Sequence, residues 1–570
     1  MVDSIQENIK LNLSETPFSM RGSRHMIYED TDGLYYTQTP LAPVFSFTGS
    51  RPKGLLKIAV RSGGVELPYT YNATAFYVEL VTDKGYVRFT IDESANALRI
   101  EGNVPELTFS GEFGFGEMSA ITKYGVEMHL SARLVFSNRA GKFEFDDTWQ
   151  LALWNNVDPV LHITPEYGKF DVVLFDVPYD AAPPEVTLTF DECVNTNAEA
   201  FERFAGMVKT IPPAWKPLAD ILTYSIWIGY QNAAGGEVLF NSRYTDTTAV
   251  SLNHYAASLA FNCPFCASAL IDAALGSIKP GGLVPSAPGG RSEASVPLYG
   301  FAVLRLLNDN ILGKLPKTRI SELYTRLSDA AEWWIKNRYD GKGLFYYAYR
   351  RESGFSNPSI FAVGTPAITP DLQTYLILLT SLLIKLSELS GNNVSAEKWN
   401  KLNELQLSAL ISELWNGGAF VCKDYYSGAV KISESLFSFI PLLLGDRLPK
   451  DITDKLASAL DDDASFVSDN GLRSESKASE YYLPGVQGCG AVDLTLNALI
   501  IWGLKDSDKH ELARKYALSV LSFAKANGVK LSYAPADEVN TPPEVADRYS
   551  PAGSAVLIAI AAKALDLRKE

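Results

Sequence analysis

The chain of 570 residues has only five histidines and five cysteines. Cys193, Cys263, Cys266, Cys422 and Cys489 are too few, and odd in number, to form a disulfide framework that would stabilise a chain of this size. Cys263-Pro-Phe-Cys266 has the spacing of half a zinc site, but no second pair or histidine cluster completes it, so neither a metal nor a cofactor is expected. Basic runs are missing. Acidic residues outnumber Lys and Arg by 66 to 51, a net charge of −15, which argues against nucleic acid and against an anionic membrane surface as partners. No uninterrupted apolar run reaches the length of a membrane span. Met1 to Glu7 carry neither a basic nor an apolar leader region, so no signal peptide is expected, and the sequons at Asn12, Asn72 and Asn393 would matter only on a secretory route.

What is present is an ordinary folded composition, 46% apolar and 21% charged. The length exceeds one hydrophobic core, so two or more domains are expected. From Asp30 to about Phe190 short runs alternate apolar and polar residues between turn signals, as at 54–61, 75–81, 86–91, 130–136 and 185–190. Many short strands at this spacing predict one antiparallel β-sandwich, with His129 and His162 as structural histidines inside it. After Asn195 the period becomes helical, broken at Pro212-Pro213. Helical patterns follow near 217–234, 250–276, 296–311, 318–337, 370–391, 395–414, 431–444, 451–460, 490–504, 508–527 and 551–566, separated by Gly-, Pro- and aromatic-rich loops. Successive hairpins of this number predict an (α/α)6 barrel, with its pocket built by the loops at one end of the inner helices. The expected division is a sandwich over 1–195, a linker over 196–215 and a barrel over 216–570.

Four loops concentrate polar, aromatic and glycine residues. They are Gly281-Gly-Leu-Val-Pro-Ser-Ala-Pro-Gly-Gly-Arg291-Ser, Arg350-Arg-Glu352-Ser-Gly-Phe-Ser-Asn357-Pro-Ser359, Leu414-Trp415-Asn-Gly-Gly-Ala-Phe420, and Gly471-Leu-Arg-Ser-Glu475 followed by Cys489-Gly-Ala-Val-Asp493-Leu-Thr-Leu-Asn497. In order and spacing they resemble the GMIP…RSQPP, ESGxDxS, LWD…GFY and GLPS…GPVWP..N segments of the (α/α)6 glycosidases of the trehalase and processing α-glucosidase clan, over roughly residues 215 to 570. The resemblance implies an enzyme acting on a carbohydrate.

The departures redirect that expectation. The clan's general acid is the Asp of ESGxDxS, and Ser356 stands there; a second clan carboxylate falls on Asn253. Inverting hydrolysis needs one carboxyl to protonate the leaving oxygen and another to activate water. A serine hydroxyl cannot be that acid near neutral pH. The pocket loops offer instead Asn253, His254, Arg291, Arg350, Arg351 and several tyrosines, a set suited to β-elimination on a uronic acid, where a cation stabilises the carboxylate as C5 loses its proton. In layout the chain looks like a fungal L-rhamnose-α-1,4-D-glucuronate lyase, which implies a terminal rhamnose on an acidic plant polysaccharide such as gum arabic, an extracellular substrate and a monomeric enzyme. An inverting exo-glycosidase, or an inactive carbohydrate-binding barrel, stays open.

His254 is the first candidate for the base, against a buried structural role. Arg291, after two glycines, is free to hold an anion bidentately, against an ion pair with Glu293. Arg350 and Arg351 point to opposite sides if extended, so one is expected on substrate and the other in the structure. Tyr482 joins His254 as a candidate base or acid, and Asn253, Arg351, Glu352, Asn357, Asp371, Tyr481 and Glu538 are expected substrate contacts. Asp371 fits either a helix N-terminal acid or the sugar-binding Asp that the resemblance implies. Asp537 and Glu538 lie where the clan keeps its base, and they keep hydrolysis open.

Overall fold

The computed structural model describes residues 9–30, 32–38, 55–111, 118–129, 133–150, 155–208, 211–233, 236–239, 268–269, 271–272, 275–276, 278–285, 293–308, 314–355, 358–538 and 550–565. Among the described residues the first part has fifteen strands: β1 (His25–Asp30), β2 (Gly33–Gln38), β3 (Leu56–Ser62), β4 (Val65–Glu66), β5 (Thr70–Ala73), β6 (Val78–Thr82), β7 (Gly85–Asp92), β8 (Ala97–Gly102), β9 (Glu106–Ser110), β10 (Met118–Thr122), β11 (Gly125–His129), β12 (Arg133–Ala140), β13 (Lys142–Gln150), β14 (Asn155–Thr164) and β15 (Phe170–Val177). One antiparallel sheet runs β1-β2-β3-β9-β14-β13, with β4 on β3; the other runs β10-β11-β12-β15-β8-β7-β6-β5. Alternate residues of the two sheets are buried in a common core, and Phe109 of one meets Phe136 of the other at 5.0 Å between ring centroids. His129 and His162 lie in strands and pair with Glu127 and Glu106, as structural histidines do.

The run 185–190, expected as a strand, is not one. Thr189 accepts a hydrogen bond from the Glu192 N–H while the Glu192 carboxylate accepts from the Thr189 N–H, a capping box that starts helix α1 (Phe190–Ala205). Residue 195, the expected end of the sandwich, therefore falls inside a helix. This helix joins the two parts: Phe201 lies 6.0 Å from Phe76 of the sandwich and 5.2 Å from Trp227 of helix α2 (Lys216–Gly229). Tyr224 of α2, wholly buried, accepts from the Ser19 N–H at 3.0 Å and has the Pro17 and Ser19 carbonyls at 3.2 Å.

The helical part continues with α3 (Tyr299–Asn308), α4 (Lys317–Arg338), α5 (Pro370–Ser390), α6 (Asn393–Leu414), the 3-10 segment Leu436–Arg447, α7 (Lys450–Leu460), α8 (Leu494–Asp506), α9 (His510–Asn527) and α10 (Pro551–Ala564). Helix α3 packs on α5, α5 on the 3-10 segment, that segment on α8, and α8 on α10, while α4, α6, α7 and α9 lie outside them. The inner members are apolar nearly all round: from Pro370 to Leu379 every residue of α5 is buried. This helix is also long and apolar enough by composition to cross a membrane, yet 72% of its apolar window is buried inside the protein, as befits the core of a helical ring. The helix expected over 431–444 is instead strand Val430–Ile432 and then the 3-10 segment, which contains Pro441.

Each long connection, at 339–369, 415–435, 461–493 and 528–550, leads from an outer helix into an inner one, whereas the returns from inner to outer are shorter, from 309–316 down to 391–392. Consecutive antiparallel helices therefore place all the long connections at one mouth of the ring. Close inner contact depends on small residues: a Cβ on Gly300 of α3 would stand 2.7 Å from the Leu379 Cα of α5. Gly300→Val should destabilise the protein by about 1 to 3 kcal/mol, read as a lowered midpoint in urea unfolding.

Candidate active site at the mouth of the ring

The connection into α5 is pinned by its own polar groups. Tyr347 and Ala367 exchange backbone hydrogen bonds, and Arg350–Ser353 form a 3-10 turn closed by Gly354 at φ +86°. The Glu352 carboxylate accepts from the Ala348 N–H at 2.7 Å, the Tyr349 N–H at 3.3 Å and Arg338 Nη2 at 2.8 Å, and the side chain is fully buried. The lone pairs of Glu352, a residue expected on substrate, hold the turn. Arg350 and Arg351 are both exposed. Among the described residues neither makes an ion pair.

This connection meets the one into α8. The Ser359 hydroxyl donates to Glu475 Oε2 at 2.9 Å and lies 2.7 Å from the Ser433 hydroxyl. The Ser479 hydroxyl donates to Glu475 Oε1 at 2.6 Å. Gly490 adopts φ +152° with the Tyr482 ring over it, where a Cβ would lie 2.7 Å from the ring. A third connection, into α10, is tied to the second through Asn470, which donates to the Ala534 carbonyl and accepts from the Ala536 N–H.

The carboxyl groups divide by environment. Burial pushes Asp371 up to about 6, although Thr369 and the Tyr347 hydroxyl, 3.0 Å from Oδ2, oppose it. Burial, and then the Glu434 charge, push Glu475 up to about 7 against the hydroxyls of Ser479 and Ser359. Asp493 caps α8, accepting from the Leu496 N–H at 3.0 Å, and is also raised by burial. Glu538 behaves differently. Burial pushes it up too, but Lys477, 2.9 Å from Oε1, and the Tyr482 hydroxyl, 2.8 Å from Oε2, outweigh that and hold it below the usual carboxylate value. The buried Arg473 donates to the Tyr482 hydroxyl at 3.1 Å and to Asp537 at 2.5 Å. Tyr482 itself is pushed up to about 12, by burial first and by Glu538 second.

Of the residues singled out in the sequence, Tyr482 and Glu538 are in direct contact, and Asp371 lies in the first turn of α5, wholly buried. Tyr481 is 37% exposed, with its hydroxyl on Lys431. Asn253, His254, Arg291 and Asn357 lie outside the described residues, as do Ser356 and the Cys263–Cys266 pair. Sequence reading passed over Glu475 and Arg473. Both stand in the Gly471–Glu475 motif, and the available signal was that two charged residues occur in a stretch that folds under cover.

Comparison with known proteins bears on the fold. Residues 285–538 match the model of the mannosylglycerate hydrolase MGH1-like glycoside hydrolase domain. No curated protein matches the chain. A bacterial glucoamylase complexed with acarbose superposes over 97% of this chain and 94% of its own, with TM-score 0.62 and 11% identity. A GH63 mannosylglycerate hydrolase from Thermus thermophilus in complex with glucose is 16% identical over 55% of this chain and 93% of its own, with TM-score 0.46. The glucoamylase likeness spans both parts and shows the fold, a β-sandwich followed by an (α/α)6 toroid. Within the toroid, residues 285–538 are similar to a glycoside hydrolase domain. The hydrolase reading is better supported than the lyase, and nothing here supports rhamnose, glucuronate or gum arabic as the substrate.

Burial gives Glu475 a testable signature. Its folded-state pKa, about 7, lies above the ordinary 4.5, so its protonated form favours folding. That contribution is complete below about pH 4.5 and is lost as pH rises to about 7. Glu475→Gln should flatten the decline of unfolding free energy over this window, measured by urea titration at several pH values; an unchanged slope would assign the decline elsewhere.

Proposed function

We propose that this chain is an inverting glycoside hydrolase that works at a chain end, with the mouth of the toroid as its active site and Glu538 as the general base. The observation that carries the reading is the match to a glycoside hydrolase domain over residues 285–538, a stretch that includes the loop of Glu352, the buried Glu475 and, at its end, Glu538. An ionised carboxylate suits the task of taking a proton from the attacking water. Lys477 and the Tyr482 hydroxyl favour that ionised form of Glu538. Arg350 and Arg351, exposed in the same mouth, are where a glycoside bearing a carboxylate would be held.

The same cluster speaks against elimination through Tyr482. A phenol serves as base only as phenolate, and Tyr482 is pushed up to about 12 and hydrogen-bonded to an anion. Elimination would need His254 instead.

The reading predicts that solvent oxygen-18 enters the anomeric hydroxyl at cleavage, with inverted configuration and no conjugated unsaturated product. An absorbing 4,5-unsaturated uronate without label would overturn it in favour of the lyase. Glu538→Gln should lower kcat by about 10²- to 10⁴-fold. The base must be ionised, so kcat/KM falls as pH drops through the Glu538 value. Lys477→Met removes the nearest cation, raises that value and should move the acid limb to higher pH.

A further inference from the structure

Hydrolysis at this mouth needs a proton for the departing oxygen, and Ser356 stands where the resembled clan keeps its acid. The described carboxyls around the mouth are mostly committed to the ionised form or to the backbone. Glu352 faces Arg338 and two N–H groups. Glu538 faces Lys477, and Asp537 faces Arg473. Asp493 caps α8, and Asp371, although burial pushes it up to about 6, is tied at the start of α5 to the Tyr347 hydroxyl and the Leu372 N–H.

Among the described residues no cation contacts Glu475, although the Ser359 N–H hydrogen-bonds to it. Its two oxygens are met by the hydroxyls of Ser359 and Ser479; the charge acting on it is that of Glu434, and Cys422 and Cys489 are the other ionisable groups nearby. A buried carboxyl beside another acid and without a cation is kept as the neutral acid. One of its two hydroxyl partners, Ser359, belongs to the same loop as Ser356, three residues further on, and is 6% exposed.

We propose that Glu475 supplies the proton for the leaving group, passed through the Ser359 hydroxyl, in place of the carboxyl absent at position 356. With Glu475 protonated the 2.9 Å contact is reversed, Oε2 donating to Ser359 Oγ; as the bond between the anomeric carbon and the departing oxygen breaks, that oxygen takes the Ser359 Oγ proton, and Ser359 Oγ takes the proton of Glu475 Oε2. Water adds to the anomeric carbon and gives its proton to Glu538. Glu475 is left as the carboxylate and Glu538 as the acid, and exchange with solvent restores both. The raised Glu475 value, about 7, supports a proton held at neutral pH. The relay rests on the hydrolase reading and moves the acid from one loop of the mouth to another.

The test compares leaving groups, because a glycosyl fluoride departs with little need for an acid whereas a methyl glycoside departs only when protonated. The probes are methyl α-D-glucoside and α-D-mannoside and the corresponding fluorides, with the full chain. Glu475→Gln and Ser359→Ala should each lose about 10²- to 10⁴-fold in kcat/KM on the methyl glycoside and less than about 10-fold on the fluoride, and the basic limb of the pH profile should vanish in Glu475→Gln. Equal losses on both probes, or no loss in Ser359→Ala, would overturn the relay and leave the hydrolase standing. Wild-type protein inert towards every probe would overturn both. If Glu475→Gln fails to fold, Ser359→Ala carries the comparison alone.

Discussion

The constraint on which the rest depends is that the inner helices have no polar face. A helix such as α5, buried from Pro370 through Leu379, can exist in water only if other helices surround it. The ring satisfies that need, and the alternation of inner and outer helices follows from it. So does the mouth, since short returns at one end force the long connections to the other. The inner helices begin at this mouth, and their free N–H groups give it a positive bias. Acids such as Asp371 and Asp493 can therefore be buried there without a cation in contact.

Most of the chemistry visible at the mouth is architecture. Glu352 stands in the most eye-catching motif of the chain, yet it fastens its own turn to Arg338. Arg473, two residues before Glu475, is a buried clamp that holds Tyr482 and Asp537. These polar groups are expensive to bury unless fully paired, so their pairing fixes where the loops lie. Glu475 and Glu538 acquire opposite characters from that arrangement. One is surrounded by hydroxyls, the other faces Lys477 and a phenol. Two carboxyls whose environments push them apart are what acid-base hydrolysis requires.

The sandwich is joined to the ring rather than tethered to it. Helix α1 lays Phe201 between Phe76 and Trp227, and Tyr224 reaches into the N-terminal segment at Ser19. One continuous apolar core runs through both parts, which fits a likeness to the glucoamylase that extends over the whole chain.

The sequence by itself determined the two periodicities and the switch between them, because burial on one sheet face or all round an inner helix is written in the spacing of apolar residues. It also carried the loop motifs and, with them, the resemblance to (α/α)6 glycosidases. Local exceptions escaped it: Thr189 and Glu192 turned an apparent strand into a helix start, and an apparent α-helix proved to be strand Val430–Ile432 and a 3-10 segment. The roles of the carboxyls were beyond its reach. Glu352, Glu475 and Glu538 look alike in a string of letters, and only tertiary structure decided that the first meets Arg338, the second meets serines from distant loops, and the third meets Lys477 and Tyr482. A carboxyl's affinity for its proton is set by burial and by neighbours brought in from far along the chain, and the order of residues does not contain either.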